Sequence, residues 1–325
     1  MEAAFVSAGR PYLLFRWLVS LLTLLLLLGP KRINTLVDVP VALEERLTLP
    51  SGSAPDFFAV DVDGTFMTSN RKALARNRAA FFEVLKMGKT LFFCTGRMPF
   101  ECKYVLSDDP TERLPYLGYP GVYLNGAIVY GPKGELLHSN HLSKHLIEIL
   151  ITSISKRNMV QDVVFLIPSG GLVLFDPSTN NALLQEIGLE KSVKQVSKEE
   201  LLRKRIYLIH TSDAETICKL LPPVCCRLYV RGKAWKGCDL LLPCNLDKAN
   251  AIRVLMAHYG RDLAACGFIG DGNVDVTSLR MCGLTVTLSD AKVAAKQSAQ
   301  HTLRERCDEA GFAKAMERIF GIVLS

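Results

Sequence analysis

An apolar tetrapeptide at residues 57–60 runs directly into Asp61-Val62-Asp63-Gly64-Thr65, and the pattern on either side of that junction admits one class of fold. Beyond it, Leu74, Phe81, Phe82 and Leu85 recur at helical spacing. Residues 90–94 then read as a second strand and residues 121–124, after another helical stretch, as a third. Strand, crossover helix and strand in this order wind into parallel pairs, because a right-handed crossover returns the chain to the sheet in the same direction. The grammar repeats near the C-terminus, where Ile252, Leu255, Met256 and Tyr259 mark a helix and residues 264–269 and 284–288 two more strands. The sequence therefore predicts an α/β chain with a doubly wound, Rossmann-like parallel-sheet core contributed by both ends.

Between those ends, strands at residues 163–167, 172–175, 206–209 and 227–230 alternate with helical stretches, which reads as an inserted α/β domain. At 325 residues the chain exceeds one typical domain, in keeping with a core and a smaller second unit. The expected organisation is a signal anchor or signal peptide over 1–30, a linker over 31–55, core over 56–140, inserted cap over 141–243 and core again over 244–325. Pro40, Pro50 and Pro55 with Ser51-Gly52-Ser53 mark the linker.

Residues 17–29 carry no charge and are flanked by Arg10, Arg16, Lys31 and Arg32. That predicts an N-terminal hydrophobic helix; without an Ala-x-Ala cleavage pattern it reads as an uncleaved signal anchor, giving the membrane as a partner and a secretory-pathway or membrane-anchored localisation. The net charge of +7 comes from scattered Lys and Arg, which suits an anionic substrate as well as nucleic acid, so charge alone decides nothing; no nucleic-acid partner is expected. The ten cysteines form no Cys-x-x-Cys pair, and Cys94 and Cys266 lie inside apolar runs, so most read as packing thiols. The oligomeric state is left open.

Four polar clusters follow the core strands or open the helix after the insert: Asp61 with Asp63, Thr95-Gly96-Arg97, Lys248, and Asp271 with Asp275. A lone Asp-x-Asp is usually an acidic turn, Thr95 a helix cap and Lys248 a solvated lysine. In a parallel sheet, however, strand ends of this kind converge on one edge, and together the clusters meet the needs of phosphoryl transfer. A carboxylate nucleophile at Asp61 would split one displacement into two. Asp61 and Asp271 would hold Mg²⁺ with water and a backbone carbonyl. Asp63, two residues on, would serve as acid and base, and Thr95 and Lys248 would receive the phosphate.

The run DVDGT at 61–65, TGR at 95–97, LNGAIVYGPKGELL at 124–137, NLDKANAI at 245–252 and GDGNVD at 270–275 resemble the haloacid dehalogenase (HAD) superfamily, Cof-type phosphatase branch. The resemblance covers the chain from about Phe57 onward. It implies a Rossmann-like core with its cap inserted between the TGR and lysine motifs. Asp61 is implied as nucleophile and metal ligand, Asp63 as acid/base and carbonyl ligand, and Asp271 as metal ligand with Asp275 behind it. Thr95, Gly96, Arg97, Asn125, Gly126, Lys248 and Asn273 are implied contacts of the phosphate or the rest of the substrate, and Mg²⁺ is the implied cofactor. One position departs from the pattern: valine, Val274, stands where asparagine is usual, which implies reduced or altered activity.

His138, His141 and His145 lack a glutamate or cysteine to complete a zinc set and read as solvated or hinge histidines. The stripe Arg227, Tyr229, Arg231, Lys233, Trp235 and Lys236 reads as a cap strand with one wet face, from which some side chains would select the leaving group. The resulting expectation is a Mg²⁺-dependent phosphatase of small, sugar phosphate-like monoesters acting through an aspartyl-phosphate. A phosphomutase or phosphotransferase and a membrane-tethered pseudophosphatase are the alternatives.

Overall fold

Phe58, Ala59 and Val60 are wholly enclosed, as a continuous apolar run must be when helices cover both faces of a parallel sheet. In the computed structural model, which describes residues 54–324 except 110–111, 179–180, 190, 222–228 and 236–237, this run is β1 (Phe57–Val60). It is followed by α1 (Arg71–Lys86) and β2 (Thr90–Phe93). Asn70 caps α1 by accepting from the amides of Lys72 and Ala73, and the helix buries Ala73, Asn77, Ala80, Phe81 and Val84. An antiparallel meander comes next, β3 (Gly121–Tyr123), β4 (Ile128–Tyr130) and β5 (Leu136–Ser139). A parallel bridge between Cys94 and Val122 joins the meander to the end of β2.

The chain then leaves for a second sheet. Its elements are α2 (Lys144–Lys156), β6 (Val163–Ile167), β7 (Gly170–Val173), α3 (Ala182–Ile187), β8 (Val193–Gln195), α4 (Lys198–Leu201), β9 (Leu208–Thr211), α5 (Ala214–Lys219), β10 (Tyr229–Trp235) and β11 (Cys238–Leu242). The strand order is β10-β11-β9-β6-β7-β8, antiparallel throughout except for β7 with β8. Alternation along β6 divides its faces: Val163 and Phe165 pack with Leu146, Leu150 and Ile154 of α2, whereas Val164 and Leu166 join the hydrophobic cluster of the core.

The return to the core brings α6 (Lys248–His258), β12 (Cys266–Ile269), α7 (Val276–Met281), β13 (Leu284–Thr287), α8 (Val293–Lys296), β14 (His301–Thr302) and α9 (Gly311–Phe320). The first sheet runs β14-β13-β12-β1-β2 and is parallel at every pairing, so the two ends of the chain do share one sheet. Val60 is in register with Ile269 on one side and Phe93 on the other. Residues 61, 94–95 and 270–271 therefore leave the sheet at the same level. That register, set by burial, places the chemistry.

Cys94, Cys102, Cys266, Cys282 and Cys307 are free and buried, in line with packing thiols. The N-terminal expectations need correction. Residues 1–53 lie outside the described residues, and so does the hydrophobic helix expected there. Among the described residues no helix is long and apolar enough to cross a membrane. The signal anchor, the membrane partner and the secretory or membrane-anchored localisation are withdrawn. The uncharged run over 17–29 is by itself shorter than the ~20 residues of a spanning helix, and only a span drawn back to Pro11 with Arg16 at the interface would reach that length.

Candidate active site

Beyond β1 the backbone turns sharply, with the amides of Phe66 and Met67 both donating to the Val62 carbonyl. Gly64 makes the turn possible at φ +81°, and a Cβ there would lie 2.6 Å from Oδ2 of Asp271. The close approach lets Thr65 donate its hydroxyl to Asp271 Oδ1 at 3.0 Å. On the other strand the loop 270–275 folds back on itself. Asp275 Oδ2 accepts the amides of Asp271 at 3.1 Å and Gly272 at 2.8 Å, while the Lys292 amide donates to the Asp271 carbonyl at 2.9 Å.

Lys248 is the first residue of α6, which Asp247 caps by accepting from the Asn250 amide. Its ammonium is 1% exposed and donates to Asp61 Oδ1 at 2.6 Å and Asp275 Oδ1 at 2.7 Å. Carboxylate oxygens of Asp61, Asp271 and Asp275 lie within 4.8 Å of one another. Burial, and then the charge of Asp275, push the Asp61 carboxyl well above the ordinary carboxylate range, with Lys248 pulling the other way. The same two causes raise Asp271. For Lys248 burial works against the charge, but Asp275 and Asp61 outweigh it, so the ammonium is held more firmly than an ordinary lysine.

Three carboxylates against one ammonium leave two negative charges uncompensated in a largely buried space, which is costly unless something neutralises them. The donor set is all oxygen, as a hard dication requires. The residues present therefore fit a divalent metal, with Asp61 and Asp271 available to hold it and Asp275 already committed to Lys248 and two amides.

The remaining expected residues divide. Thr95 is buried between the sheet and the meander: its amide donates to the Val122 carbonyl, its carbonyl accepts the Asn125 amide, and its hydroxyl accepts the Arg97 amide at 3.1 Å. Gly96 lies against the Asn125 carboxamide, with room for a Cβ only at 3.3 Å from it. Asn125 adopts φ 52°, and its buried Oδ1 has no partner, so an acceptor is turned toward the Thr95-Gly96 turn with nothing donating to it. Gly126, at φ +106°, faces the Asp247 backbone: a Cβ there would come within 2.7 Å of that carbonyl. It thus brings the meander against the start of the helix that carries Lys248.

Asp63 stands outside the carboxylate cluster. Its side chain, 58% exposed, is gripped by Arg97, with Nε to Oδ2 at 2.9 Å and Nη2 to Oδ1 at 2.5 Å. Asn273 is exposed, and Val274 is 40% exposed on the short turn before α7. The reading of the sequence missed Thr65, although it closes the DVDGT motif, because its partner Asp271 lies 206 positions away.

Residues 58–316 match the family described as haloacid dehalogenase-like hydrolase. HMP-PP phosphatase of Cronobacter sakazakii is 24% identical over 241 residues, covering 72% of this chain and 84% of that protein. The chloroplastic endoribonuclease YBEY of Arabidopsis thaliana is 25% identical over 270 residues, which is 79% of this chain and 45% of that protein. Among solved structures, a HAD/COF-like hydrolase from Plasmodium vivax is similar at a TM-score of 0.66 and 22% identity, covering 83% of this chain and 97% of its own.

Proposed function

The chain belongs to the haloacid dehalogenase-like hydrolases, and from that premise we propose that it is a Mg²⁺-dependent phosphatase of small, sugar phosphate-like monoesters that works through an aspartyl-phosphate on Asp61. The observation that carries the reading is the set of three carboxylates, Asp61, Asp271 and Asp275, gathered around the single buried ammonium of Lys248. A site two positive charges short of neutrality suits a dication and, once filled, an incoming phosphate. The likeness to a protein named as a phosphatase supports the same reaction class.

Asp61 attacks phosphorus, forming one P–O bond as the bond to the leaving oxygen breaks, and Asp63 passes a proton to that oxygen. Water then attacks the phosphorus of the aspartyl-phosphate while Asp63 takes its proton, releasing inorganic phosphate and restoring Asp61. Asp61 and Asp271, with the Asp63 carbonyl, would hold Mg²⁺, which would supply the charge that lets an anionic nucleophile meet an anionic ester. Lys248 adds the remaining positive charge and aims Asp61. Thr95, Gly96 and Asn125 line the place for the phosphate, the unpartnered Asn125 oxygen accepting from a substrate hydroxyl or water. We take residues 56–140 and 244–325 as the core that does this chemistry and 141–243 as the cap that keeps bulk water out.

Phosphate release from a panel of monoesters tests the reading. Activity should require Mg²⁺, disappear with a chelator and return when the ion is restored. Asp61→Asn should lower it at least about a thousandfold. Turnover that is independent of metal, or that survives Asp61→Asn, refutes the mechanism.

A further inference from the structure

Arg97 has both ends fixed. Its amide donates to the Thr95 hydroxyl at 3.1 Å, and its carbonyl accepts the Leu124 amide at 3.1 Å, so the turn that presents Thr95 also sets the root of the arginine side chain. From there the guanidinium does not reach the carboxylate cluster. Its Nε–H donates to Oδ2 and its Nη2–H to Oδ1 of Asp63, at 2.9 and 2.5 Å, the two-point fork in which an arginine fixes the orientation of a carboxylate as well as its position. Burial works against the guanidinium charge and Asp63 outweighs it, so this partner accounts for the arginine's firmly held proton. Asp63 is more than half exposed. Among the described residues no other side chain holds it, and a free aspartate at a loop tip samples several rotamers.

We propose that Arg97 is a positioning residue for Asp63, the arginine that holds the acid/base carboxylate in line with the leaving oxygen, rather than a contact of the substrate's phosphate. The inference rests on the reading of Asp63 as acid and base given above. Charge distribution favours it: the Arg97 charge is already matched by Asp63, whereas the carboxylate cluster is short of positive charge and receives none from Arg97. After Asp63 gives up its proton, the carboxylate left behind finds the guanidinium already in place.

The leaving group provides the test. Proton donation matters for an alkyl phosphate, whose alkoxide leaves poorly, and much less for p-nitrophenyl phosphate, whose phenolate leaves without help. The parameter to measure is kcat/KM, which reports events up to departure of the first product, in the full chain with Mg²⁺, for Arg97→Ala, Arg97→Lys, Asp63→Asn and the double variant Arg97→Ala/Asp63→Asn. Melting curves establish that each variant is folded. Arg97→Ala should lose about 10- to 100-fold more on an alkyl phosphate than on the aryl one, as misplacement of a catalytic group does. Arg97→Lys, which keeps the charge but not the fork, should recover only part. In the Asp63→Asn background Arg97→Ala should add less than about twofold, because residues that act through one another are not additive.

A rise of about tenfold or more in the inhibition constant for inorganic phosphate, equal losses on both esters, or full additivity with Asp63→Asn would overturn the proposal. Should Asp63→Asn itself fail to discriminate between the two esters, the acid/base reading falls, and that result is separable because it appears in a variant with Arg97 intact.

Discussion

Replacing Lys248 with methionine keeps most of the length and volume of the side chain and removes its charge and its hydrogen-bond donors. The native ammonium is 1% exposed and makes two charge-assisted bonds of 2.6 and 2.7 Å to carboxylates that are themselves buried. Their loss strands Asp61 and Asp275 beside Asp271. Removing one partner of a buried ion pair costs about 3–5 kcal/mol, most of it the penalty of the uncompensated charges left behind. For a chain of this size, at about 2.1 cal/mol/K of unfolding entropy per residue, that is a fall of about 4–9 °C in melting temperature without metal. The loss should shrink in two ways. Mg²⁺ should recover stability, since it binds the native cluster and not the unfolded chain. Acid should recover it as well. Asp61 and Asp271 already have folded-state pKa values raised above the ordinary carboxylate range, so across that window the folded chain binds more protons than the unfolded one. Their stabilisation is complete below the ordinary carboxylate pKa and is lost as pH rises through the folded values. Metal-free protein should thus lose stability as pH rises from the acid side, more steeply in Lys248→Met, and Mg²⁺ should flatten both profiles. Asp275→Asn added to Lys248→Met removes one stranded charge while keeping an acceptor for the Asp271 and Gly272 amides, and should return at least about 1 kcal/mol. Denaturant titrations across pH, with and without Mg²⁺, measure all of this. A cost for Lys248→Met below about 1 kcal/mol, or a cost indifferent to Mg²⁺, would show that the carboxylates are not electrostatically coupled as the geometry requires.

Gly64→Ala places a methyl group 2.6 Å from the Asp271 carboxylate at φ +81°, so it should cost about 1–2 kcal/mol of stability and weaken Mg²⁺ activation at least about tenfold. An activation curve that superimposes on the parent's would refute this. Val274→Asn restores an amide on the exposed turn beside the carboxylates and should raise kcat/KM about two- to tenfold, the worth of one hydrogen bond. No gain in either kcat/KM or affinity for inorganic phosphate would mean that the valine is not what limits the site.

The parallel sheet was legible because its strands are short apolar runs with an acidic or Thr-Gly end, and the partners fell in register at those ends. The inserted sheet was read less well, for local reasons. β7 begins at Gly170, two residues before the run read from the sequence, since Gly170-Gly171 looks like a turn. In the fold, Gly171 is a strand residue because β8 passes so close that a Cβ would lie 2.7 Å from a methyl of Val193. β9 extends through His210 and Thr211, polar residues that are nonetheless buried. Within the site, motif spacing supplied Asp61, Lys248 and Asp271, whereas the direction of a side chain was beyond it. Arg97 grips Asp63 and Gly126 lies against the Asp247 carbonyl, partners that the motifs did not name. Those partners are 34 and 121 positions away, and no local pattern encodes them.

Why Asp61, the proposed nucleophile, sits on the first sheet and not the second follows from the same register. A slip of β1 by one residue against β12 would turn Phe58 and Val60 to the opposite face and carry Asp61 away from Asp271, so burial of three apolar residues holds a carboxylate that must be desolvated to react. The second sheet has no such duty. Val164, Leu166 and Leu208 bury against the core cluster, and among the described residues no charged group of that sheet takes part in the Asp61, Lys248, Asp271 and Asp275 arrangement. That sheet's connections, two hairpins (β6 to β7 and β10 to β11) and three that run through helices, can change in length and side chain without shifting the core register. Under the proposed function, that division leaves the second sheet free to vary with the leaving group while the attack on phosphorus stays the same.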